Sequence, residues 1–304
     1  MSRIVRIGAA QLGPISRQEL RSTIVSRLVA LLQQAGRERC DLVVFPELAL
    51  TSFFPHWAIE NDEELDSYFE LEMPNESIVR LFEEARKLAI GFVIGYAELD
   101  RVNDAKPQRF NSSILVDRNG SIVGKYRKIH LPGYTEVRPN DPFQNLEKRY
   151  FNVGNLGFPV FDVFGGKIGM CICNDRRWPE VYRLMGLRGA ELIVLGYNTP
   201  LFNPDTDHTP EMRMFHNHLC MQAGAYQNSA WVVGVAKCGL EEGVDMMAGT
   251  CIISPDGVIV AETQTRSDEL VVADCDLDSA LVGKRTEFDF ALNRRPEHYT
   301  GLLS

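Results

Sequence analysis

The sequence predicts an α/β fold in which large sheets pack face to face with helices on their outer faces. Apolar runs of strand length alternate with helical segments in the first third of the chain, and turn signals join several later runs as hairpins. No linker, internal repeat or low-complexity tract divides the 304 residues, so residues 1–304 read as a single domain.

IVRIGAAQL opens the chain as a strand. Ser16 and Glu19 then form the Ser-x-x-Glu pattern of a capping box, and Leu20, Ile24, Leu28, Leu31 and Leu32 follow at helical spacing, which predicts a helix over 17–35. DLVVFPEL returns as a strand, 75–90 as a helix and GFVIGYAEL as a strand. RFNSSILVD and SIVGKYRK are joined by Arg118-Asn119-Gly120, a tight hairpin turn. Beyond a loop at 131–158, FPVFDVF and KIGMCIC pair across Gly165-Gly166, and a helix starts at Pro179 and stops at Gly189. AELIVLGYN is a strand and 209–228 a helix carrying Met212, Phe215, Leu219 and Ala223. WVVGVAK, GTCIIS and GVIVAET are strands, the last two turned by Ser254-Pro255-Asp256-Gly257, and VVADCDL precedes a final helix.

Apolar residues make up 45% and charged residues 24% of the chain, the balance of a globular protein with an ample core. A net charge of −9 argues against nonspecific binding to nucleic acid or to an anionic membrane, both of which need a basic surface. MSRIVRIGAAQL lacks the apolar core of a signal peptide, and no run approaches a membrane span, so the expected location is cytoplasmic. Seven scattered cysteines point to free thiols, with Cys171 as packing.

Cys173 ends the apolar run KIGMCIC and is followed at once by NDRRWP. A thiol at a strand end, beside Arg176, Arg177 and the positive pole of the Pro179 helix, is expected to ionise readily, with the Asn174 N–H placed to bind an oxyanion. Its plain alternative is a small buried hydrophobe. Glu47 follows Pro46, which stops the strand ladder, so its carboxylate emerges at the sheet rim beside Phe45, Leu48, Phe53 and Phe54, suited to taking a proton. Lys128 shares a strand face with Tyr126 and Ile122 by period-two alternation and so can point inward. His216 and His218 diverge on a helix, and the remaining histidines show no ligand spacing, so no metal is expected. Without a phosphate-binding or dinucleotide glycine motif, phosphate or dinucleotide binding lacks support.

With Glu47, Lys128 and Cys173 in that chain order, the sequence resembles the carbon-nitrogen hydrolase (nitrilase) superfamily, whose Glu-Lys-Cys triad these residues match one by one. FPELAL, GKYRKIHLPG, LEKRYF, CNDRRWPE, GYNTP and MQAGAYQN look like the N-carbamoyl-D-amino acid amidohydrolases within it. The resemblance implies a four-layer α-β-β-α sandwich, a homodimer or homotetramer packed through a helical layer, and hydrolysis without a cofactor. It assigns Glu147 as a second acid beside the triad and places Asn174, Arg176, Arg177, Asn198 and Thr199 around the substrate. Two departures bear on side-chain preference: Asn145 stands where a histidine is expected near the substrate carboxylate, and segment 201–214 differs from similar enzymes.

The expected function is hydrolysis of N-carbamoyl-D-amino acids to the amino acid, ammonia and carbon dioxide through a covalent cysteine intermediate. Alternatives are another amidohydrolase of the superfamily, such as a β-ureidopropionase or an aliphatic amidase, or a catalytically silent binding or scaffold protein. A thiol redox sensor is a further alternative. Intact Glu47 and Lys128 weigh against the silent and sensor readings, which need neither.

Overall fold

The computed structural model describes residues 2–101 and 107–303. Fourteen strands form there: β1 (Ile4–Gln11), β2 (Leu42–Val44), β3 (Gly91–Asp100), β4 (Gln108–Val116), β5 (Ile122–Arg127), β6 (Val160–Val163), β7 (Gly166–Ile172), β8 (Leu192–Asn198), β9 (Trp231–Lys237), β10 (Gly239–Glu241), β11 (Val244–Met246), β12 (Cys251–Ile253), β13 (Ile259–Glu262) and β14 (Glu269–Asp276). The α-helices are α1 (Arg21–Arg37), α2 (Asp62–Asp66), α3 (Val79–Leu88), α4 (Glu147–Tyr150), α5 (Pro179–Leu187), α6 (Pro210–Asn228), α7 (Leu277–Lys284) and α8 (Phe290–Asn293).

Two six-stranded sheets result, ordered β14-β1-β2-β3-β4-β5 and β13-β12-β9-β8-β7-β6. Strand alternation builds the layers. Ile7, Ala9, Leu42, Val44 and Val93 face the second sheet, while Val43, Phe92 and Ile94 turn to α1 and α3. The second sheet carries α5 and α6 on its outer face, where Tyr182, Met185, Met221 and Ala225 join the core. This is the four-layer sandwich expected, in one domain.

Local differences have physical causes. The Ser16–Glu19 pair does meet, with the Ser16 N–H 3.3 Å from the Glu19 carboxylate, but the segment closes as a turn. Helix α1 begins four residues later than predicted, and Glu19 also pairs with Arg27 at 3.2 Å. A bulge at Val123, where Leu115 pairs with Gly124 but Val116 with Ile122, breaks the alternation of β5. Tyr126 and Lys128 are therefore buried while Ile122 faces solvent, contrary to the period-two reading. The short pair β10–β11 and the helices α2, α4 and α8 carry too few residues to leave a periodic signal.

Candidate active site

Glu47, Lys128, Cys173 and Asn198 sit at the carboxyl ends of β2, β5, β7 and β8, two strands from each sheet, so the sandwich brings them to one edge of the inter-sheet space. Lys128 lies between two carboxylates, its Nζ 2.7 Å from Glu47 Oε1 and 2.6 Å from Glu147 Oε2. All three side chains are essentially sealed from solvent.

The apolar wall expected around Glu47 is instead a ring of donors. Asn111 Nδ2 donates to Oε1 at 2.7 Å, the Asn198 N–H donates to Oε2 at 2.8 Å, and Asn198 Nδ2 donates to the Glu47 carbonyl at 3.0 Å. Glycines make room for this loop. A β-carbon on Gly95 of β3 would stand 2.7 Å from the Glu47 Cα, and one on Gly196 of β8 would stand 2.3 Å from the Glu47 nitrogen. One glycine from each sheet thus clamps the Pro46–Glu47 backbone.

Cys173 opens a 3₁₀ turn, Cys173–Arg177, that separates it from the Pro179 helix and that the sequence did not reveal. Its backbone is left-handed, with φ of 48°. Asp175, wholly buried, holds this turn: it accepts from the Ile172 N–H at 3.0 Å, from the Tyr126 hydroxyl at 2.7 Å, and from the His130 N–H at 3.0 Å. Residues Asn111 and Asp175 were missed by the sequence reading. A polar stretch, FNSS, inside a buried strand was the available signal for the first.

Burial pushes the Cys173 thiol above the ordinary range and Glu47 adds to that, outweighing the pull of Lys128 and Arg176. The expectation of a readily ionised thiol is corrected accordingly: burial holds the thiol up despite the flanking cations. Burial alone would lower the Lys128 ammonium, yet its anionic neighbours, a Cys173 thiolate once formed and the Glu147 and Glu47 carboxylates, raise it, so it stays cationic. Glu147 is lifted by burial to about 7, against the opposing effect of Lys128. Alkylation of Cys173 by iodoacetamide, followed by peptide mass spectrometry across pH, should therefore show a midpoint above that of an ordinary thiol. A midpoint near neutrality would overturn this.

A cavity of about 220 Å³ opens onto the cluster. Cys173, Asn174, Glu147, Asn198, Thr199 and Arg177 all line it, while Glu47 and Lys128 lie behind Cys173 and Glu147. Arg176 departs from its expected substrate-binding role. Its Nε donates to Asn217 at 2.9 Å, Nη1 to the Cys173 carbonyl at 2.7 Å and Nη2 to the Thr199 hydroxyl at 3.0 Å, and its guanidinium stacks on Tyr197 at 4.4 Å. Those bonds hold the Cys173 turn and leave Arg176 outside the cavity wall. Asn145 lines the cavity with a buried Oδ1 that has no hydrogen-bond partner among the described residues. Phe202, Asn203, Pro204 and Asp205 of the divergent segment 201–214 line the cavity too, and there Arg138 bonds Asp205 at 2.7 Å and stacks on Tyr134.

No group of three potential ligand side chains able to hold a metal occurs among the described residues, and no helix there is long and apolar enough to cross a membrane.

The carbon-nitrogen hydrolase family matches residues 6–282. An N-carbamoylputrescine amidase of Arabidopsis thaliana is 30% identical over 297 residues, covering 93% of this chain and 91% of that protein. A citrullinase of Francisella tularensis subsp. tularensis is 28% identical over 290 residues, covering 92% of each. The fold matches the crystal structure of a carbon-nitrogen hydrolase from Helicobacter pylori G27 with a TM-score of 0.83 at 24% identity, covering 99% of both chains.

Proposed function

Because this chain belongs to the carbon-nitrogen hydrolase family of the nitrilase superfamily and is an amidohydrolase, we propose that it hydrolyses N-carbamoyl amino acids, those of the D series in preference. The observation that carries this reading is Arg177. Its guanidinium lines the cavity beside the thiol with no carboxylate partner among the described residues, only Asn174 Oδ1 at 3.5 Å. A free guanidinium there suits a substrate carboxylate, which it can bind as a fork. A substrate ending in an amine, like the carbamoylputrescine of the Arabidopsis relative's name, would need a free acid at the same place. Of the acids on the wall, Glu147 is held by Lys128 and Asp205 by Arg138. The preference for the D series rests on the strings GKYRKIHLPG, CNDRRWPE and MQAGAYQN.

A ureido carbonyl is a poor electrophile because two nitrogens donate into it, so both sulfur and oxygen need help. An ionised carboxylate offers about four acceptor positions. Lys128, Asn111 and the Asn198 N–H occupy three on Glu47, leaving one on Oε2 for the thiol proton. As Glu47 takes that proton, the Cys173 sulfur bonds the carbamoyl carbon and the carbonyl oxygen becomes an anion. Lys128 has three N–H donors, two spent on Glu47 and Glu147, so one remains for the oxyanion. The Asn174 N–H, at the start of the 3₁₀ turn, is the second donor.

Glu47 then delivers the proton to the departing nitrogen and ammonia leaves. Water, activated by the same carboxylate with Glu147 alongside, cleaves the thioester-like intermediate to an N-carboxy amino acid, which loses carbon dioxide. Asn198 and Thr199 also line the cavity for the substrate, the first held through Glu47 and the second through Arg176. On the outer helical layer the exposed Leu184, Phe215 and Leu219 offer the face through which two copies of the chain would pair.

Arg177→Met should lower kcat/KM for N-carbamoyl-D-alanine by roughly 30-fold, the effect of about 2 kcal/mol from one lost charge pair, and affect propionamide far less. Equal losses on both would remove Arg177 from this role. Ammonia release from N-carbamoyl-D- and L-alanine, N-carbamoyl-β-alanine and propionamide, with mass spectrometry of any adduct on Cys173, tests the reading as a whole. Turnover of propionamide alone would sink it.

A further inference from the structure

The cavity holds another guanidinium that the reaction above leaves unused. Arg213 stands in the first turn of α6 and lines the wall with 8% of its surface exposed. Its Nε and Nη2 both donate to the Pro200 carbonyl, at 3.2 and 2.8 Å, and among the described residues no carboxylate pairs with it. One carbonyl leaves most of its five donors free.

That placement is unfavourable without a ligand. Buried cations are usually paired, because desolvation is recovered only against an opposite charge. The amino end of a helix carries partial positive charge and repels a cation. Arg176 adds like charge to Arg213, and Arg213 in turn to Arg177. Of the three guanidiniums on the cavity wall, Arg138 is matched by Asp205, while Arg177 and Arg213 have no acid. Glu147 is already set against Lys128. Two positive charges therefore await an anion, and a monocarboxylate supplies only one.

We propose that Arg213 is a specificity-determining residue that binds a second anionic group, so that the preferred substrate is an N-carbamoyl amino acid with a carboxylate in its side chain. The α-carboxylate then lies on Arg177 and the side-chain carboxylate on Arg213. This rests on the N-carbamoyl amino acid reading and narrows it.

Steady-state kinetics of the parent and of Arg213→Met on N-carbamoyl-D-aspartate, N-carbamoyl-D-glutamate and N-carbamoyl-D-alanine test it. The parent should favour an acidic substrate over the alanine derivative by about tenfold or more, and the variant should cut that ratio by roughly 30-fold. Arg213→Lys, which keeps the charge, should retain part of the ratio. A parent without preference for the acidic substrates overturns the proposal, as does a variant that slows every substrate equally, the mark of a residue that only supports the Pro200 loop. Calorimetric binding of glutarate and butyrate gives a readout free of turnover. Glutarate should bind more tightly to the parent and lose that advantage in Arg213→Met; equal binding of the two acids overturns the proposal. If no carbamoyl substrate is hydrolysed while glutarate still depends on Arg213, the reaction assignment fails and the anion site stands.

Discussion

Cys173→Ala protein folds as the parent does and releases no ammonia above background, a loss on the order of 10⁴-fold or more, because no other thiol lines the cavity among the described residues. Folding survives since the sulfur's polar contacts are long, 3.5 Å to the Asn198 carbonyl and 3.7 Å to Arg176. The strained left-handed backbone at this position is held by Asp175 and Arg176, which the substitution does not touch. Alanine adopts that conformation no worse than cysteine does. Ammonia assays, thermal melts and intact mass after exposure to substrate check the three parts of this result. Residual turnover above about a hundredth of the parent rate, with the mass adduct still forming, would move the nucleophile elsewhere.

Lys128→Met should lose a hundredfold or more in kcat, from about 2.7–4 kcal/mol of oxyanion stabilisation, and should also weaken the fold in a pH-dependent way. Without the ammonium, Glu47 and Glu147 are two buried carboxylates with nothing between them. Breaking such a buried arrangement costs about 3–5 kcal/mol. The sign follows from the protonation state. Glu147 already sits at about 7, above its ordinary 4.5, because burial disfavours its anion, and loss of the cation raises it further. A carboxyl group whose folded pKa is raised favours the fold at low pH and loses that contribution as pH rises. The variant should therefore melt close to the parent near pH 5 and well below it near pH 8. Normal turnover would remove Lys128 from oxyanion binding, and a pH-independent penalty would remove the charge explanation.

Much of this was legible in the sequence because the chemistry sits where strands end. Pro46 before Glu47 and the arginines after Cys173 interrupt apolar runs, and an interruption can be read locally. Lys128 was legible only as an alternation, and the neighbouring bulge shows how easily one inserted residue shifts such a reading. Long-range partners were out of reach. Asn111 meets Glu47 across 64 residues, and Arg176 spends its donors on Asn217 and Thr199, distant residues that no local pattern ties to it. The same limit applied to the thiol. Flanking cations suggested easy ionisation, yet desolvation by two sheets, a property of the packed molecule, outweighs them.

The glycines at 95 and 196 give the interior an unusual economy: Glu47, the proposed general base, is located by hydrogen atoms where other residues would have carbon. Sheet spacing and reactivity are consequently one mechanical variable, since a methyl group at either glycine would wedge the layers apart or expel the Glu47 loop. Efforts to harden this scaffold by filling its core have to treat that narrow seam as part of the catalyst.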